Sequence, residues 1–133
     1  MDTAASGHAA ALWVGLHVFL MLVLSTLVVR LRQKHKVAMG DEGIVELARA
    51  IRAFGNASEY IPVGLAAIIV LAVLGAPPLA IHVVGLILFA GRVIHAIGLS
   101  STGGASIARS IGMICTWVAY LFGAVALLFY AIG

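Results

Sequence analysis

The sequence is short of charge, and of acid above all: 10% of its 133 residues are charged, and only five are Asp or Glu. No H-x-x-x-H or carboxylate–His spacing in the sequence suggests a metal site, so none is expected. A single cysteine, Cys115, excludes an internal disulfide framework and a CxxC redox or metal motif. It falls in the middle of an apolar run, where a thiol stays protonated and serves as a small core residue. The three prolines leave most of the chain free of helix breakers. No basic patch interleaved with aromatics appears, which excludes a nucleic-acid-binding surface.

What the chain does have is apolar length. Hydrophobic residues make up 63% of it, more than a soluble domain of this size can bury, so the bilayer is the expected solvent. Four stretches reach the ~20 residues a span needs: about 8–29, 57–74, 79–99 and 107–132. The expected fold is one all-α domain over 1–133, a four-helix transmembrane bundle. The first stretch lacks a basic leader and a small-residue cleavage site, so it is expected to be a retained helix rather than a signal peptide.

Charge placement orients the bundle. Arg30, Arg32, Lys34, Lys36, Arg49 and Arg52 lie between spans one and two, and Arg92 and Arg109 flank the connection between spans three and four. The positive-inside rule makes loops 30–56 and 99–109 cytoplasmic and puts both termini outside. This is the pattern of a multi-pass bacterial inner-membrane protein. The cluster ending span one also suits lipid headgroups.

Helical spacing of Ile44, Leu47, Ile51 and Phe54 predicts that helix two starts near Glu42 in the cytoplasm and runs to about Leu74. Asp41 is expected to cap it, Pro77 or Pro78 to open helix three, and Ser106 to cap helix four. Ala119 and Gly123 form a small-xxx-small pair suited to close helix contact.

Helix two carries the chemistry. In "RAIRAFGNASEYIP" (49–62), Arg49, Arg52, Asn56 and Glu59 fall within an arc of about 80° and rise roughly 15 Å toward the membrane. Arg92 and His95 share one face of helix three at the same depth, and Arg109 and Ser110 begin helix four there. Glu59 can lock helices by pairing with Arg92 or Arg52, but one acid cannot absorb four arginines. The surplus points to an anionic guest with carboxylates for guanidinium forks. Glutathione fits, and so do other small anions.

These residues resemble the R-x-x-R-x-x-x-N-x-x-E-Y-x-P signature of the MAPEG family, the membrane-associated proteins of eicosanoid and glutathione metabolism. "GRVIHAIG" (91–98) and "ARS" (108–110) resemble that family's third helix and the start of its fourth, notably in its glutathione transferase and prostaglandin synthase branches. The resemblance covers nearly the whole chain. It implies a homotrimer with glutathione held between subunits near the cytoplasm. On that resemblance Arg30, Arg49, Arg52, Asn56, Glu59, Tyr60 and His95 border glutathione, Arg109 stabilises its thiolate beside Ser110, and Arg92 takes a structural pairing. The resemblance implies a glutathione-dependent transferase or peroxidase, whose thiolate would attack a hydrophobic electrophile arriving from the bilayer. One departure stands out: Leu99 lies where many relatives carry a tyrosine. A binding protein without turnover is therefore the alternative. A small proton-coupled exporter is the other, opposed by the arginines around Glu59, which repel cationic drugs.

Overall fold

The computed structural model describes residues 3–101 and 104–132 as four helices: α1 (Thr3–His35), α2 (Val45–Val73), α3 (Pro78–Ser101) and α4 (Ile107–Ile132). Each is long and apolar enough to cross a membrane. At ~1.5 Å per residue, α1 would extend about 50 Å, past both faces of the hydrocarbon core. The helices form a bundle in which α3 packs on all three others, most extensively on α4.

The local signals decide where each helix starts and stops. Lys36 adopts a left-handed backbone (φ 58°) and Val37 N–H bonds back to Arg32 O, closing the end of α1. Gly75 does the same for α2: its φ of 73° lets Ala76 N–H reach Leu71 O at 2.9 Å. Pro78 opens α3 as expected. Ser106 caps α4, its Oγ accepting the Arg109 N–H at 3.2 Å.

Two expectations for helix two need correction. The helix begins at Val45, not near Glu42, and its N-cap position is Ile44, which offers no side-chain oxygen. Asp41 instead folds the preceding turn, its Oδ1 accepting the Gly43 N–H at 2.9 Å. Gly40, Glu42 and Gly43 all have positive φ, so this stretch cannot be the first turn of a helix. The amphipathic spacing was real, but the turn chemistry outranked it. Lys34 and His35 then clasp Glu46 and tie the end of α1 to the start of α2.

Two apolar clusters fill the bundle. The outer one includes Trp13, Ile68, Leu71, Ile81 and Leu88, and the cytoplasmic one Leu24, Ala57, Ile61, Ala96 and Leu99. Buried polar side chains lie elsewhere in the bundle, among them His17, Asn56, Arg92, His95 and Thr116. Helices α3 and α4 meet backbone to backbone. A Cβ added at Gly112 would sit 2.6 Å from His95 N and 2.7 Å from Gly91 O, and one at Gly98 would sit 2.9 Å from Arg109 N. Such close approach is how packing holds helices together where lipid supplies no hydrophobic drive. The Ala119–Gly123 pair also packs: Ala119 is buried, and a Cβ on Gly123 would meet Ala67 at 3.4 Å.

Candidate functional site: an arginine-lined cleft at the cytoplasmic mouth

The close α3–α4 packing fixes the first turn of α4 against the last turns of α3. Arg109 consequently stands between two clefts. One, about 390 Å³, is lined by Asp41, Arg49, Arg52, Leu99 and Arg109, among others. The second, about 530 Å³, is lined by His95, Ser106, Arg109, Ser110, Met113 and Trp117, among others. Three guanidinium groups thus meet around the first cleft with one carboxylate, Asp41, which already accepts a backbone N–H.

Two of the three arginines, Arg49 and Arg109, are held from behind by carbonyls, while Arg52 pairs with Glu59. Arg109 Nη1 donates to Gly104 O at 2.6 Å, and Arg49 Nη1 to Ser101 O at 3.4 Å. Arg49 Nε is buried with no partner among the described residues. Carbonyl acceptors orient a guanidinium without neutralising it, so the cleft keeps its positive charge. The amino end of α4, capped by Ser106, adds partial positive charge at the same place.

The remaining helix-two residues divide. Glu59 is half-exposed and pairs with Arg52 at 3.7 Å, so of its two expected partners the structure selects Arg52 and not Arg92. Arg92 is 1% exposed and has no carboxylate partner among the described residues. Its Nη1 donates to Asn56 Oδ1 at 2.7 Å, its Nη2 lies 3.4 Å from Gly112 O and from Met113 Sδ, and its Cζ stands 5.3 Å from the centre of the Tyr60 ring. Tyr60 is further fixed by its backbone oxygen, which accepts the Tyr120 hydroxyl. The pairing of Arg92 is therefore with an amide and a ring, both of which spread its charge without cancelling it.

His95 is buried and borders the second cleft, where Ser110 is exposed. Arg30 is exposed on α1 and lines neither cleft. Leu99 gives the first cleft an apolar wall without a hydroxyl. Two features were missed in the sequence. The Asn56–Arg92 bond carried no motif. The α3–α4 contact did: Gly91 and Gly98 lie seven residues apart, hence on one helix face, and could have been noticed.

Comparison with known proteins agrees with this architecture. The MAPEG family model matches residues 10–129. Two inner membrane proteins YecN, from Escherichia coli K12 and from E. coli O6:H1 strain CFT073, are each 39% identical over 121 residues, spanning 91% of this chain and 91% of their own. A family match over most of the chain, with four spans and full-length relatives, has one meaning: this protein belongs to the MAPEG family.

Proposed function

We propose that this inner-membrane protein is a glutathione-dependent transferase that ionises the glutathione thiol for attack on a hydrophobic electrophile. One observation carries the reading: Arg49, Arg52 and Arg109 converge on a single cytoplasmic cleft whose only lining carboxylate, Asp41, is engaged with backbone. Such a cleft favours a small polyanion, and glutathione supplies two carboxylates for guanidinium forks. Its ammonium suits Glu59 or Asp41, and its thiol suits Arg109 and the amino end of α4.

An unperturbed thiol has a pKa of ~8.5 and is a few per cent thiolate at pH 7. Lowering that by ~2 units takes about 2.7 kcal/mol, within reach of a guanidinium and a helix terminus acting together. The thiolate sulfur then bonds to an electrophilic carbon, and the displaced electron pair leaves with the departing group or is protonated. The second cleft, floored by His95 and edged by Ile114 and Trp117, would admit an apolar substrate beside Arg109.

The site is completed by a second copy. Arg30 lines neither cleft of its own protomer, and Arg52, Ser58 and Glu59 stand exposed on α2. Ionisable groups on a spanning helix demand protein or water, not lipid, and the family resemblance implies a trimer. The apolar Leu99 wall favours the second reading, binding without turnover.

Calorimetry with detergent-purified protein tests the reading. Wild type is expected to bind glutathione saturably, and Arg52→Ala to lose about 10–100-fold in affinity, the worth of a charged hydrogen bond. Equal affinities in the two proteins would remove the arginine cleft from the binding site.

A further inference from the structure

Helices α1 and α3 meet tightly at one end and part at the other. At the outer end the Trp13 indole donates to His82 Nδ1 at 3.1 Å, and a Cβ added at Gly85 would sit 2.2 Å from the same ring. One turn further along, the His17 and Phe89 rings stand edge to face with centres 5.3 Å apart. Beyond them the pair opens into a groove of about 410 Å³ that reaches the last turn of α3. Leu24 and Ala96 form its buried floor, and the exposed Val23 and Ile97 form its rims.

The groove has the outline of one hydrocarbon chain hung from the membrane surface. It runs from Val93 to Ser101, roughly 12 Å along α3, close to the ~15 Å depth of one hydrocarbon leaflet. The Trp13 and His17 contacts close it toward the bilayer centre, and its other end is open.

That open end is polar and positive. Ser100 and Ser101 line it, Ser100 is exposed, and the Arg49 guanidinium rests behind it on Ser101 O at 3.4 Å. Helix α1 runs on from Leu24 to His35, roughly 16 Å further, and carries Arg30, Arg32 and Lys34 past the mouth. Neither α1 nor α3 has an acidic side chain to offset them.

We propose that this groove holds an acyl chain of an anionic phospholipid, its phosphate at Ser100 under the basic end of α1. The positive-inside rule places that lipid in the cytoplasmic leaflet. The apolar walls accept any chain; the charge selects the headgroup. A second copy of the chain, with five Asp and Glu in all, offers the mouth less counter-charge than a phosphate does. The site uses the field of the whole basic end and requires no single guanidinium, so it stands apart from the glutathione reading.

Protein reconstituted in equal parts phosphatidylglycerol and phosphatidylethanolamine, then extracted in mild detergent, tests this by native mass spectrometry. Wild type is expected to retain phosphatidylglycerol at least ~5-fold over phosphatidylethanolamine, the worth of one basic side chain beside an anionic surface. Ser100→Asp, at an exposed position, sets a negative charge at the mouth and is expected to bring that ratio to about one. Val93→Phe fills the groove and is expected to lose both lipids with its oligomer intact. Equal retention of the two lipids by wild type, or an unchanged ratio in Ser100→Asp, overturns the proposal whether or not Val93→Phe folds. A folded Val93→Phe that keeps phosphatidylglycerol also overturns it, and one whose oligomer falls apart assigns the groove to a second copy instead.

Discussion

Arg109→Ala is expected to bind glutathione but to leave its thiol largely protonated at pH 7. In wild type the guanidinium lies in the first turn of α4, where the Ser106 cap and the helix amino end add to its field. If together they lower the thiol by ~2 units from ~8.5, the thiolate fraction at pH 7 is roughly three-quarters, against about 3% without them. The variant should therefore show a ~25-fold smaller thiolate absorbance at pH 7, a difference that closes as the pH passes ~9. A low-pKa thiolate is intrinsically less nucleophilic, so turnover falls by less than the thiolate signal and chiefly below pH ~8. Arg109 Nη1 holds only the Gly104 carbonyl, at the mouth, so the fold should survive its removal. An undiminished thiolate signal in the variant would assign thiol activation elsewhere.

The second large effect is on folding. Gly112→Val is expected to cost about 3 kcal/mol or more, because the new side chain meets backbone on both sides. A Cβ there would lie 2.6 Å from His95 N and His95 Cβ and 2.7 Å from Gly91 O, none of which is the far end of a flexible side chain. The α3–α4 pair would have to separate, opening the floor of the second cleft and loosening Arg92 from Gly112 O. Gly123→Ala is the control. Its Cβ would meet Ala67 at 3.4 Å, an ordinary contact, and alanine is ~1 kcal/mol better than glycine in a helix. Melting in detergent should show the Gly112 variant unfolding far earlier and the Gly123 variant matching or exceeding wild type. Equal losses in both would mean that the helices separate at little cost.

The contrast between those two glycines shows how far the sequence is legible. Span number and the helix starts at Ser106 and Pro78 follow from local composition, because a bilayer permits few alternatives to a satisfied helix. The start of α2 does not: an amphipathic stripe says which face is apolar, not which residue opens the helix, and the positive φ values at 40–43 outweighed it. The arginine cluster was legible as a ladder on one face. The division of labour within it was not, since Asn56 and Glu59 are three residues apart yet one serves Arg92 inside the bundle and the other Arg52 outside it. Which partner a side chain takes depends on how three helices rotate against each other. That rotation is set by glycine contacts whose spacing is visible in the sequence but whose partner helix is not.

The central claim is that an arginine-lined cytoplasmic cleft binds glutathione and ionises its thiol. Calorimetric titration of wild-type protein with glutathione at pH 7, in two buffers of different ionisation enthalpy, measures affinity and proton release together. The account predicts saturable binding lost on S-methylation or weakened by it, with about 0.7 proton released per site for a ~2-unit shift. Binding without proton release, or no saturable binding by a well-folded oligomer, would contradict it.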